Sequence, residues 1–96
     1  MAELLSDTEV DEALRSLPHW QRAGDSITRT VKCPTFPAAI ALVDRVAVAA
    51  ESRDHHPDID IRWRTLTFIC ATHFKGGITE LDVSLAREID RLAAED

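Results

Sequence analysis

The sequence predicts an α+β fold in the order α-β-β-α-β-β-α, a four-stranded, mainly antiparallel sheet with three helices packed on one face. Three observations predict it. Helix-start chemistry recurs at Ser6, Thr35 and Thr79, each ahead of an apolar pattern of helical period. Two stretches, 20–33 and 58–72, alternate or run apolar as hairpin strands do. The turn residues Gly24 and Gly76-Gly77 punctuate them. Ninety-six residues make a single domain, expected over 1–96.

Each element has its own signal. Ser6-Asp7-Thr8-Glu9 has capping-box spacing, Val10, Leu14 and Leu17 follow at helical intervals, and Pro18 stops the helix. Ala23-Gly24-Asp25-Ser26 is turn chemistry, after which Ile27, Val31 and Cys33 alternate with Thr28, Thr30 and Lys32. Thr35-Phe36-Pro37 opens a second helix whose body, 38–50, is apolar almost all round. That predicts cover on two sides, by its own sheet and by another subunit; cover by its own sheet alone is the alternative. Asp58 to Trp63 alternates strictly and 66–72 is a β-branched, apolar run, which predicts a second hairpin turning near Arg64-Thr65. Thr79 caps a third helix with Asp82 at its third position, and Leu81, Leu85, Ile89 and Leu92 form its buried stripe.

Composition excludes several function classes. Seventeen acidic against 11 basic residues leave a net charge of −6, an unpromising balance for gripping a phosphate backbone, and no basic recognition helix appears; nucleic acid is not expected as a partner. No apolar run approaches the ~20 residues that span a bilayer, so no membrane partner is expected. The acidic start lacks the basic region of a cleaved signal peptide, and Cys33 and Cys70 form no CxxC pair, which points to a reduced, cytoplasmic protein. A core this small favours a homo-oligomer.

Three of the four histidines gather in one region. His55-His56 fall in the loop after helix two, with Asp54 just before and Glu51 one helical turn earlier; His73 falls where strand four ends. Loops at element ends are where sites usually form. Imidazole gives and accepts protons near neutral pH, and a neighbouring carboxylate orients it, so the group points to acid–base chemistry rather than to three unrelated loop residues. A metal site is not expected: adjacent histidines diverge, and the i, i+4 spacing of a helical zinc site is missing. Cys70 lies in a buried strand and reads as a small hydrophobe rather than a nucleophile. Trp63, placed on the strand facing the histidines, reads either as core or as a ligand platform. Gly76-Gly77 lacks a phosphate-loop pattern and is a turn.

Glu51-x3-His55-His56-Pro57, then Trp63, His73 and Asp82 at their spacings, resembles the signature of the pterin-4a-carbinolamine dehydratases, and the resemblance covers essentially the whole chain. It implies dehydration of a 4a-hydroxytetrahydropterin to the quinonoid dihydropterin, a step that recycles the cofactor of aromatic amino-acid hydroxylases. By the same resemblance His55 and His73 are the acid and base, in either order, and His56 binds and orients the pterin. Asp54 and Glu51 fix the histidines or the ring's donor edge. The backbone Ala71, Thr72, His73 and Phe74 lines the pocket, and Asp82 holds a histidine or caps its helix. No metal or organic cofactor is implied, because the pterin carries its own electronic push. Animal members also serve as dimerisation cofactors of a homeodomain transcription factor, so a non-catalytic assembly or coactivator module using helix two is the alternative. This chain departs from them in having Ile59 where they carry a Trp, and in Phe74 and Lys75 after His73.

Overall fold

The structure, a computed structural model, describes residues 3–95. Its elements follow the expected order: α1 (Asp7–Arg15), β1 (Gln21–Ala23), β2 (Ser26–Lys32), α2 (Phe36–Arg53), β3 (Asp58–Arg62), β4 (Thr65–Cys70) and α3 (Glu80–Ala93), with a 3-10 turn at His73–Lys75. The sheet runs β1-β2-β4-β3, and every neighbouring pair is antiparallel. The second hairpin therefore docks through β4, which becomes a central strand between β2 and β3.

The register explains why the helices share one face. Ile27 pairs with Cys70, Val31 with Leu66, and Ile59 with Phe68, so these side chains project to the same side. Ile27, Leu66, Phe68 and Cys70 are fully covered there by the apolar stripes of the helices, with Val10, Leu42, Val46, Leu85 and Ile89 at the centre. The opposite face carries Thr28, Thr30, Thr65 and Thr67 among charged neighbours, and the Thr30 and Thr67 hydroxyls lie 3.2 Å apart. Behind the sheet, Asp90 on α3 accepts hydrogen bonds from the Trp20 indole at 2.7 Å and from Arg29 at 2.5 Å. That clasp ties α3 to the first hairpin, and periodicity alone gives no sign of it.

Helix two resolves into two unlike faces. Ala39, Leu42, Val46 and Ala50 are buried against the sheet and α3. Ala41, Ala47 and Val48 face outward, Val48 at 72% exposure, interrupted by Asp44 and Glu51. Its all-round apolarity comes from alanines on the outer side.

The second hairpin turns one residue earlier than the sequence implies. Arg62 and Thr65 are the last pair, so Trp63 and Arg64 form the turn. Trp63 takes a φ of +56°, a position that usually belongs to glycine in two-residue hairpins. Arg64 holds it there. Its guanidinium lies 4.7 Å from the centre of the indole and also reaches the Cys33 and Pro34 carbonyls, while its own carbonyl accepts from the Cys33 N–H.

Candidate active site

The end of α2 sets the first half of the site. Asp54 sits in the left-handed region at φ +50°, its N–H bonded to the Ala50 and Glu51 carbonyls, and the His55 N–H reaches back to the Ala50 carbonyl at 3.1 Å. This is a Schellman-type close in which Asp takes the place usually held by glycine. The strained residue fixes the direction in which His55 and His56 leave the helix.

The end of β4 sets the second half. Thr72 and Gly77 form a bridge, with Thr72 N–H donating to the Gly77 carbonyl at 2.9 Å. Gly76, at φ +73°, closes the turn that carries His73, Phe74 and Lys75. Asp54, His55, His56, Ala71, His73 and Phe74 line one cavity of about 220 Å³ between these two ends. Larger grooves beside α2 contain no histidine.

The three histidines differ in environment. His55 is buried, and its Nε2 lies 2.6 Å from Asp82 Oδ1. Asp82 is wholly buried and also accepts from the Thr72 hydroxyl at 2.8 Å and from the Thr79 N–H at 2.9 Å, both at Oδ2. A carboxylate has no hydrogen to give, so Nε2 of His55 must be the donor, and Nδ1 of the neutral ring is left as an acceptor. No other hydrogen bond engages the His55 ring among the described residues. His56 is exposed and pairs with Glu51 at 2.8 Å. His73 is exposed; its carbonyl accepts from the Gly76 N–H at 3.0 Å, and its ring has no hydrogen-bond partner among the described residues.

Several expected site residues stand elsewhere. Asp82 does not face the cavity; it lies behind His55, and it caps α3 and holds the histidine at once, because its two oxygens point in different directions. The Thr72 side chain turns inward to Asp82 and Thr79 rather than to the cavity. Glu51 acts on His56 from the last turns of α2. Trp63 is not core and does not line this cavity: it is 70% exposed in the turn before β4, whose six residues, roughly 20 Å of strand, separate it from Ala71. Thr79 was legible as a cap, but its side-chain bond to Thr72 had no signal in the sequence.

Cys70, one residue before the cavity, has its thiol pushed far above the usual range by burial, with Asp82 and Asp58 adding to the effect. It stays protonated and is no nucleophile. Among the described residues no three His, Cys, Asp or Glu side chains converge as metal ligands, and no helix is long and apolar enough to cross a membrane.

Comparison with known proteins gives this geometry a lineage. The profile of the family described as pterin 4 alpha carbinolamine dehydratase matches residues 3–92. The chain belongs to that family. A relative from Nocardia farcinica (strain IFM 10152) is 64% identical over 91 residues, covering 95% of this chain and 96% of that protein. One from Mycolicibacterium smegmatis (strain ATCC 700084 / mc(2)155) is 55% identical over 92 residues, covering 96% and 98%. Both carry the name "Putative pterin-4-alpha-carbinolamine dehydratase". A crystal structure of a transcriptional coactivator/pterin dehydratase from Brucella melitensis superposes with a TM-score of 0.92 at 35% identity, covering 95% of this chain and 99% of that one. The family match spans the cavity between α2 and β4, on whose walls His55, His56 and His73 stand.

Proposed function

We propose that this protein dehydrates a 4a-hydroxytetrahydropterin to the quinonoid dihydropterin by histidine acid–base catalysis, recycling a tetrahydropterin. One observation supports the reading most: the buried Asp82–His55 pair opens onto the cavity that His56 and His73 share. The reaction breaks the C4a–O bond, with the hydroxyl leaving as water after gaining a proton, and N5 loses its proton as the C4a=N5 bond forms. One group must accept and another must donate. His55, held by Asp82 through Nε2–H, offers Nδ1 as the acceptor for the N5 proton. His73, its ring unpartnered on the lining of the same cavity, protonates the leaving hydroxyl. His56, braced by Glu51, and the Asp54 carboxylate meet the ring's polar edge, while Ala71 and Phe74 supply the apolar wall. In this reading no metal or organic cofactor takes part, since the pterin nitrogen drives the departure of the hydroxyl. An aromatic amino-acid hydroxylase is the expected source of the substrate, and the cytoplasm its place.

The test is stopped-flow decay of 4a-hydroxytetrahydropterin, made in situ by a hydroxylase, with and without the protein. Decay at the spontaneous rate at micromolar protein refutes the proposal.

A second reading has two observations behind it. The outer stripe Ala41, Ala47 and Val48 of α2 is exposed, and the Brucella neighbour is described as a transcriptional coactivator/pterin dehydratase. We infer a homo-oligomer packed through this stripe, a surface that an assembly module would use even without catalysis.

A further inference from the structure

We propose that Thr72 is a positioning residue, whose hydroxyl holds the Asp82 carboxylate in the one orientation that presents Oδ1 to His55. The role concerns the site of the proposed dehydratase and rests on that reading only for its effect on rate.

Counting hydrogens fixes the direction of each bond. Thr79 Oγ1 accepts from the Leu81 N–H at 3.2 Å as the α3 cap, so its own hydrogen points elsewhere. Thr72 Oγ1 lies 2.8 Å from Thr79 Oγ1 and 2.8 Å from Asp82 Oδ2. Asp82 has no hydrogen to give, so Thr72 must donate to it. Thr79 then donates to Thr72, and the chain runs in one direction: Thr79 O–H to Thr72, Thr72 O–H to Asp82 Oδ2, and His55 Nε2–H to Asp82 Oδ1. All four residues are buried, Thr72, Thr79 and Asp82 completely. Water cannot replace a missing member, and bonds in a dry chain strengthen one another. On the side away from His55, the Thr79 N–H alone leaves Oδ2 with a single tether; the Thr72 hydroxyl is the second donor there and fixes the plane in which Oδ1 meets the imidazole.

Thr72 is therefore not interchangeable with an apolar residue of the same shape. Thr72→Val keeps both branches and loses the hydroxyl, whereas Thr72→Ser keeps the hydroxyl and loses the methyl. Packing and positioning roles predict opposite outcomes for the pair.

Proton–nitrogen NMR of the imidazoles, with dehydration kinetics beside it, decides between them. In the wild type and in Thr72→Ser, His55 carries its proton on Nε2 and gives a slowly exchanging, far-downfield resonance. In Thr72→Val that resonance moves upfield or is lost to exchange. Its kcat falls by about tenfold with KM within about twofold, well short of the ~10²–10⁴-fold expected for losing the acid or base itself. A Thr72→Val protein with an unmoved resonance, or a Thr72→Ser protein that is the impaired one, overturns the proposal. So does a wild type with its His55 proton on Nδ1, a result that stands even if Thr72→Val fails to fold. The NMR arm needs no turnover: the expected resonances in a protein without dehydratase activity would uphold the positioning role and sink the proposed function instead.

Discussion

Asp82→Asn probes the site with the least change of shape. Asp82 Oδ2 receives two donors, from Thr72 and Thr79, and Oδ1 receives one, from His55. The new amide has a single acceptor, and the cheaper placement keeps it where two donors converge. Its NH₂ then faces His55 Nε2, and the imidazole avoids a donor–donor contact by moving its proton to Nδ1. The cavity-facing nitrogen changes from acceptor to donor. Two or three charge-assisted bonds become neutral at a loss of about 1 kcal/mol each, which gives roughly 2–3 kcal/mol of destabilisation. For a domain of this size each 1 kcal/mol moves Tm by about 4–8 °C, so a fall of about 10–20 °C is expected with the fold kept. Dehydration should drop by ~10²–10⁴-fold. Scanning calorimetry and stopped-flow decay of the carbinolamine measure the two. A variant that folds with the wild-type Tm and a kcat within about threefold of wild type would refute the assignment of the His55 proton.

Three further outcomes are expected. His73→Ala, at an exposed residue whose ring has no hydrogen-bond partner among the described residues, should leave Tm within about 3 °C and lower dehydration by ~10²–10⁴-fold; near-full activity would remove His73 from the mechanism. Val46→Glu buries a charge in the core and should prevent folding, whereas Val48→Glu, on the 72% exposed position, should fold and reduce the mass seen in light scattering; an unchanged mass means that α2 does not join subunits. Because burial raises the Cys70 thiol in the folded chain only, stability should fall as pH rises above the ordinary value of about 9, where the unfolded thiol ionises and the folded one does not, by about 1.4 kcal/mol per pH unit. Cys70→Ala should flatten that decline, and an identical slope in both proteins by urea titration at pH 9 to 10.5 would contradict the burial effect.

What was legible in the sequence was the part written in local chemistry. Ser6 with Glu9, and Thr79 with Asp82, announced two helix starts because a capping box needs only residues three apart. Two-residue alternation placed β2 and β3 because the sheet has one covered face, and a β-branched, apolar run placed the central strand β4. The histidine cleft was readable since the residues closing α2 and β4 fall next to one another in an antiparallel hairpin. Where the sequence misled, tertiary contacts decided. Trp63 in a strand was the reasonable reading of Ile-Arg-Trp alternation, and it fails because Arg64, anchored on the Cys33 and Pro34 carbonyls, draws the turn one residue earlier. Capping and holding a histidine looked like competing duties for Asp82, yet a carboxylate with two oxygens performs both. The inward turn of Thr72 could not be read at all, since strand alternation says which side a residue takes and nothing of which hydroxyl meets which acid.

The proposed catalysis resides in His55 and the cavity it faces. The most direct test compares the single-turnover rate of 4a-hydroxytetrahydropterin dehydration for wild type and His55→Ala at equal concentration, with folding of both checked by circular dichroism. Wild-type acceleration over the spontaneous rate, lost in a folded His55→Ala, is the predicted result. Equal rates for the two proteins, whether both fast or both spontaneous, would contradict the claim.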